Sequence, residues 1–214
     1  MPDLPGKCKL ILYILKKESF MQIKNWIYPI IGLLFLNACS TPIKNRINRN
    51  QLYQNALKTT DAGQVQLMEP DSATVKRAMA QFIEFYQDYS HEKIQKNVRN
   101  LYAENAFFAD PFKTVEGIDE IENYFLESTD TIESCTFDIQ DVANHKGNYY
   151  FRWWMDLTLK RYKDRPMNAT GMSHVRYNKE GKIIFQQDYW DVAGTVYEKI
   201  PILGSVLKKI RNRI

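Results

Sequence analysis

The amino-acid sequence predicts an α+β domain in which three helices pack on one face of a curved, mostly antiparallel sheet. Apolar residues recur at helical spacing in three segments between residues 72 and 125. Beyond residue 132 the period changes to two, which is typical of strands with one buried face. Helices followed by a run of strands indicate an α+β arrangement. The 214 residues, 44% of them hydrophobic, are enough for one domain with a sizeable core.

The three helices are predicted from their apolar faces and from the residues that begin them. Ser72 offers a cap for the first helix. Its apolar face consists of Val75, Met79, Phe82, Ile83 and Tyr86. The second helix carries Ile94, Val98, Leu101 and Tyr102. Gly117 precedes the third helix, whose apolar face holds Ile118, Ile121 and Phe125.

Short strands are predicted at residues 107–109 and 114–115, and four longer strands follow the third helix. In the first of the four, Cys135, Phe137 and Ile139 alternate with polar residues. The next strand places Tyr149, Phe151, Trp153, Met155, Leu157 and Leu159 on one face. Residues 167–177 and the segment KIIFQQDYWD form the last two strands, joined through an NKEG turn. We expect Trp154, on the opposite face from Trp153, to favour a homodimer contact.

Helices that cover one face of a strongly twisted sheet leave a cone-shaped hollow. Such a hollow is a ready site for a small, largely apolar molecule. Among the strand residues, Trp153, Met155 and Trp190 are expected to form its wall, and Ser173 is expected to contact the ligand with them.

The N-terminal segment is predicted to be an export signal. MQIKNWIYPIIGLLFLNACS begins at Met21 with a lysine, followed by an apolar run. LNAC, residues 36–39, resembles a bacterial lipobox, which implies cleavage before Cys39 and a lipid on its thiol. We expect translation to start at Met21 and residues 1–38 to be the signal region. A plain membrane anchor is the alternative, although about ten apolar residues are short for a span of about 20.

Serine rather than aspartate follows Cys39. The lipobox resemblance then implies an outer-membrane lipoprotein that faces the periplasm. The polar segment 39–70 is expected to be a flexible tether between the lipid and a domain over residues 71–198.

The C-terminal segment 199–214 is predicted to be a basic amphipathic helix. Its apolar face contains Leu203, Val206, Leu207 and Ile210. Its cations are Lys208, Lys209, Arg211 and Arg213. Such a helix either packs on its own domain or lies on anionic lipid.

Several classes of function are disfavoured. A net charge of +4 is too mild to suggest a nucleic-acid partner. The three histidines are scattered and no cysteine pair has ligand spacing, so we expect no metal site. The sequence contains no phosphate-binding loop, and we expect no cofactor.

Two segments resemble a known family. LYAENAFFADPFKTVEGIDEIENYF, residues 101–125, and GMSHVRYNKEGKIIFQQDYWD, residues 171–191, are similar to the SnoaL-like branch of the nuclear transport factor 2-like superfamily. The resemblance covers about residues 72–198 and implies the cone-shaped α+β fold of that superfamily. It leaves function open, because the superfamily includes isomerases, cyclases, dehydratases, hydrolases and non-enzymes.

Two enzyme types of the superfamily supply candidate site residues. Ketosteroid isomerases use an Asp-Pro aspartate as base, with a tyrosine and a protonated aspartic acid as oxyanion donors. The resemblance places Asp110 at the base, Tyr86 at the tyrosine and Ser173 at the third position, which therefore lacks its acid. By itself, Asp110 is either a base in the cavity or an acceptor for turn amides.

SnoaL-type polyketide cyclases use a histidine and an aspartate on the last hairpin, and His174 and Asp188 match that pair. A three-residue turn would put both side chains on one face of the sheet, whereas a two-residue turn would separate them. Three hypotheses remain: a binding protein for a small apolar ligand, an acid-base enzyme acting on a lipid-like or polyketide-like carbonyl compound, or a dimeric interaction module.

Overall fold

The structure is a computed structural model, and it describes residues 48–68 and 72–213. The expected signal region and the expected lipidation site at Cys39 lie outside the described residues. Within them, no helix is both long enough and apolar enough to cross a bilayer.

The described residues form six α-helices and one six-stranded sheet. The helices are α1 Arg49–Thr59, α2 Ala73–Gln87, α3 His91–Leu101, α4 Ile118–Thr129, α5 Val192–Thr195 and α6 Leu203–Arg211. The strands are β1 Tyr102–Ala109, β2 Thr114–Glu116, β3 Ile132–His145, β4 Asn148–Leu159, β5 Met167–Tyr177 and β6 Ile183–Trp190. Short 3-10 turns follow β4 and α5. This is the α+β cone that the sequence predicts.

The three predicted helices are α2, α3 and α4. The Ser72 hydroxyl caps α2 by accepting a hydrogen bond from the Val75 N–H at 3.2 Å. Gly117, with φ of +86°, turns the chain into α4. One prediction was wrong by a residue: Tyr102 does not end α3 but begins β1, where its side chain is buried in the core.

The sheet has the strand order β2-β1-β6-β5-β4-β3. The pair β1 and β6 is parallel and every other pair is antiparallel. The strand β4 shows the predicted alternation, because Tyr149, Phe151, Trp153, Met155 and Leu157 are all buried on its inner face. The helices α2 and α4 pack against this inner face, so the main core lies between them and the sheet.

The expected flexible tether was wrong for its described part, because residues 49–59 form α1 on the outer face of the sheet. Leu52, Tyr53, Ala56 and Leu57 pack there against Phe107, Ala109 and Phe185. At one end of α1 the Arg49 guanidinium donates to the backbone carbonyls of Asp110 and Lys113. The sequence pattern did not predict this helix because its apolar residues are few and lie among Asn and Gln. The helix occupies part of the outer face that Trp154 shares, and the homodimer contact stays a prediction.

Candidate functional site

A cavity of about 110 Å³ lies between the inner face of the sheet and helices α2 and α4. Most of its lining is aromatic. Its lining residues are Tyr86, Tyr89, Phe108, Asp110, Phe112, Tyr124, Phe125, Ser128, Ile132, Cys135, Phe137, Trp153, Met155, Leu157, Asp188 and Trp190. Only two of these side chains are ionisable carboxyl groups, and none is basic.

Asp188 is the buried carboxyl group at the sheet side of this inner cavity. It pairs in register with Ser173 on β5, so the two side chains share the inner face. Gln186, two residues earlier on β6, donates from Nε2 to the Asp188 carboxylate at 2.9 Å. The Ser173 hydroxyl also bonds to Asp188, and accepts a hydrogen bond from Trp153 Nε1 at 3.0 Å. Asp188 is therefore held in place by two strands.

Burial raises the pKa of Asp188 to about 7. The hydrogen bonds from Ser173 and Gln186 act against this rise because they favour the ionised form, whereas the charge of Asp110 adds to it. Near neutral pH the Asp188 side chain is therefore present in both its protonated and ionised forms. A carboxyl group in this state can donate or accept a hydrogen bond, and it can exchange a proton.

Tyr86 belongs to a closed ring of buried hydrogen bonds. Tyr102 donates to Oε1 of Gln186 at 2.7 Å, so its oxygen is left to accept from the Tyr86 hydroxyl at 2.8 Å. Nε2 of Gln186 donates in turn to the Tyr86 oxygen at 3.0 Å. The single hydroxyl hydrogen of Tyr86 is thus used within the protein. The expected role of Tyr86 as an oxyanion donor does not fit this arrangement, although its ring lines the cavity.

His174 does not lie with Asp188, and the expected pair was wrong. The β5–β6 register shifts between Arg176 and Tyr177, and His174 consequently pairs with Gln187 while Ser173 pairs with Asp188. The His174 side chain is on the outer face, where its Nε2 lies 2.8 Å from Oδ1 of Asn148. It also stacks on Tyr150, with ring centroids 4.8 Å apart.

Burial, followed by the nearby Arg176 charge, lowers the pKa of His174 to about 4. The ring is therefore neutral near neutral pH. Its position and its charge state both indicate a structural role on the outer face of the sheet.

Asp110 combines the two roles that the sequence left open. Its Oδ1 accepts hydrogen bonds from the backbone N–H groups of Phe112 at 2.9 Å and Lys113 at 2.7 Å, which fixes the turn after β1. Its Oδ2 accepts from the Tyr124 hydroxyl at 2.6 Å, and the side chain also lines the inner cavity. Burial raises the pKa of Asp110, and these three hydrogen bonds oppose the rise. With both oxygens already bonded, Asp110 is a weaker candidate base than Asp188.

The inner cavity adjoins a larger, open region that we call the outer cleft. The outer cleft has a volume of about 680 Å³ and lies between the first turns of α1 and the ends of β1 and β6. It shares Asp110, Asp188 and Trp190 with the inner cavity. Trp190 packs edge to face against the half-exposed Phe112, with ring centroids 5.5 Å apart. Trp190 lines both regions, whereas Phe112 lines the inner cavity only.

The predicted ligand-binding residues Trp153, Met155 and Trp190 all line the inner cavity. The same prediction was wrong for Ser173, which is not among the lining residues and whose hydroxyl bonds instead to Trp153 and Asp188. The sequence interpretation missed Gln186, which is completely buried and joins Asp188 to the two tyrosines. The available signal was its spacing: Gln186 and Asp188 are two residues apart on a buried strand and so share a face.

The residues that the structure describes offer neither a cluster of metal ligands nor a reactive thiol. In this part of the chain no group of three His, Cys, Asp or Glu side chains is arranged to hold a metal ion. Cys135 lines the cavity, and burial raises the pKa of its thiol to about 12, which keeps it protonated.

A cone of helices on a curved sheet, with a small cavity inside, is the fold of nuclear transport factor 2-like proteins. The chain belongs to the SnoaL-like domain family, whose model matches residues 73–186, more than half of the chain. No curated protein matches the chain.

The chain is also similar to solved structures. A protein of unknown function from Burkholderia pseudomallei, described as NTF2-like, has 12% identity and a TM-score of 0.50, covering 57% of this chain and 95% of its own. An epoxide hydrolase from M. tuberculosis has 13% identity and a TM-score of 0.48, with coverage of 59% and 89%. A hypothetical protein with a ketosteroid isomerase-like fold from Catenulispora acidiphila, in complex with trimethylamine, has 14% identity and a TM-score of 0.48, with coverage of 56% and 88%. At these identities the likeness concerns the fold alone.

Proposed function

We propose that the protein binds a small, largely apolar molecule in the inner cavity, with Asp188 as the polar group that orients it. The supporting observation is that the Asp188 carboxyl group, whose pKa lies near neutral, is buried in a mostly aromatic and aliphatic wall, where Asp110 is the one other carboxyl group. Binding sites commonly have this composition, a mostly apolar lining with a few polar groups placed to fix orientation.

The size of the cavity limits the ligand. An apolar cavity of about 150 Å³ accepts benzene, and this cavity has about 110 Å³. Pockets for drug-sized molecules have about 300–1,000 Å³. A complete lipid or polyketide therefore does not fit inside, and any larger part of a ligand would have to lie in the outer cleft.

Native mass spectrometry of the full chain tests this proposal. We expect a bound molecule of small, defined mass, or saturable binding of cyclohexanone when that probe is added. Cys135→Phe places a ring in the cavity and should abolish the adduct, whereas Cys135→Ser leaves the volume nearly unchanged and should retain it. An adduct that survives Cys135→Phe at full occupancy would place the ligand elsewhere and reject the proposal.

A second candidate is an acid-base enzyme that moves a proton next to a carbonyl group, with Asp188 as the base. The observation that favours it is the pKa of Asp188, about 7, since a general base works best near the ambient pH. The Ser173 and Gln186 donors would stabilise the ionised form. Neither His174 nor the Tyr86 hydroxyl takes part.

Hydrogen–deuterium exchange at the α-carbons of cyclohexanone, followed by NMR in D₂O, tests the enzymatic candidate. The protein should accelerate exchange, and Asp188→Asn should remove the acceleration without unfolding the domain. Exchange no faster than in buffer, under conditions in which cyclohexanone is bound, would reject catalysis on this carbonyl and leave the binding function standing.

A further inference from the structure

The C-terminal helix α6 exposes its apolar face. Leu203, Val206, Leu207 and Ile210 lie at positions i, i+3, i+4 and i+7 and therefore on one side of the helix. Leu203 is 40% exposed, Val206 49% and Ile210 51%. Ile202, immediately before the helix, is 83% exposed. Seven large hydrophobic side chains are exposed among the described residues, and four of them are in this segment.

The helix is attached to the domain by a different side. Gly204 is buried, and a Cβ at this position would lie 2.1 Å from the Glu198 carbonyl oxygen, so the backbones are in close contact there. Arg211, seven residues later and hence on the same side, forms ion pairs with Asp191 at 3.0 Å and Glu198 at 2.5 Å. Because these contacts fix the rotation of α6, its apolar face is kept away from the core.

The chain also adopts an unfavourable conformation at the start of α6. Ile202 has φ of +70° and ψ of −58°, and the Leu203 N–H donates to the Pro201 carbonyl oxygen at 2.8 Å. This is a γ-turn of the strained hand, which is rare for a β-branched residue. The strained turn projects an isoleucine that the domain itself does not bury.

Cations accompany the exposed apolar face. Lys208, Lys209 and Arg213 are exposed, and none of them makes an ion pair with a described residue. The helix contains no acidic residue. Exposed apolar side chains together with unpaired cations are the composition of a helix that lies in the interface of an anionic membrane.

We infer that α6 is a membrane-surface helix that binds anionic phospholipid. Ile202, Leu203, Val206 and Ile210 enter the boundary between headgroups and acyl chains, and the cations contact lipid phosphates. A second copy of the chain is disfavoured as the occupant because the two cationic helices would repel each other. Nucleic acid would leave the apolar face unused. The helix has nine residues, so its binding is weak and reversible, and a second attachment such as a lipid at Cys39 would strengthen it.

Two fluorescent labels on neighbouring residues test the orientation as well as the binding. The full chain with Cys8→Ser and Cys39→Ser carries an environment-sensitive dye at either Val206→Cys, on the apolar face, or Ser205→Cys, on the exposed polar side. The buried Cys135 is left unchanged. Each protein is titrated with phosphatidylcholine vesicles and with vesicles that also contain phosphatidylglycerol.

We expect the dye at position 206 to shift its emission to the blue with anionic vesicles only, and the dye at position 205 to shift little. Lys208→Gln with Lys209→Gln should weaken the response roughly tenfold, since each basic residue near such a surface contributes to binding. Lys76→Gln with Lys96→Gln changes the net charge equally, on helices α2 and α3, and should have little effect.

Three results would overturn the inference. No shift at position 206 with anionic vesicles would reject membrane binding by this face. Equal shifts at both positions would reject the proposed orientation. A shift at position 206 that depends on protein concentration without vesicles would show that a second copy covers the helix.

Discussion

Gln186 and Asp188 lie two residues apart on β6, and the Gln186 amide donates one hydrogen to the Asp188 carboxylate at 2.9 Å and the other to Tyr86 at 3.0 Å. The amide therefore joins Asp188, one of the two carboxyl groups of the cavity wall, to the tyrosine pair of the core. Because both nitrogen hydrogens meet acceptors and the amide oxygen meets the Tyr102 hydroxyl, the orientation of the side chain is determined by its neighbours.

Replacing Gln186 by methionine should affect both ends of this network. Gln186→Met keeps a similar volume but removes a donor to Asp188, so the Asp188 pKa should rise further above its ordinary range. The loss of partners for buried Tyr86 and Tyr102 should lower the free energy of unfolding by about 1–3 kcal/mol. Carboxyl NMR titration and urea denaturation measure the two effects. Gln187→Met, one residue further and on the outer face, is the control, and equal effects from both variants would contradict the network.

Asp188 should make the domain less stable as the pH rises. Burial raises its folded-state pKa to about 7 from the ordinary 3.8. Between these two values the folded state holds a proton that the unfolded state has lost, so its contribution to stability falls as the pH increases. The slope is at most about 1.4 kcal/mol per pH unit. Urea unfolding of Asp188→Asn, measured from pH 4 to 8, should lack this pH dependence. A difference in the free energy of unfolding between wild type and variant that stays constant with pH would contradict the prediction.

The titration of His174 should have the opposite effect on stability, over a similar pH range. Its folded-state pKa is lowered to about 4 from 6.5 by burial and by Arg176. Between these values the unfolded state binds a proton that the folded state does not, so stability should rise with pH through this window. Urea unfolding of His174→Gln should lack that rise. Because Gln can still bond to Asn148, a variant that unfolds at every pH would indicate a packing effect of the ring and not its titration.

The parts of the fold that depend on local sequence patterns could be predicted. The parts of the site that depend on contacts between distant segments could not. The alternation along β4 identifies Trp153 and Met155 as inner-face residues without any knowledge of their partners. The face of His174 depends on the shifted register between Arg176 and Tyr177, which pairing with neighbouring strands determines. Gln186 looks like an ordinary polar strand residue until Tyr86 and Tyr102, 100 and 84 residues away, are placed beside it.

The lipobox resemblance predicts that Cys39 carries lipid. In a bacterial host, metabolic labelling with a palmitate analogue should mark the protein, and Cys39→Ser should lose the label and move to the soluble fraction. Cys8→Ser is the matched control, because translation from Met21 would omit that residue altogether. Label retained in Cys39→Ser would contradict lipidation at this site, and label lost in Cys8→Ser would contradict the start at Met21.

The relative effects of Trp190 and Asp188 should distinguish binding from catalysis. If the protein only binds its ligand, most of the binding free energy comes from apolar surface, which is worth about 25 cal/mol per Å² buried. Trp190 lines both the inner cavity and the outer cleft, so Trp190→Ala should weaken cyclohexanone binding more than Asp188→Asn does.

If the protein is an enzyme, Asp188→Asn should abolish α-carbon exchange while leaving affinity nearly unchanged, and Trp190→Ala should mainly raise KM. Binding constants and exchange rates measured on the two variants, with Trp154→Ala on the outer face as control, separate these outcomes. A binding loss from Asp188→Asn that exceeds that from Trp190→Ala would contradict a mainly apolar site.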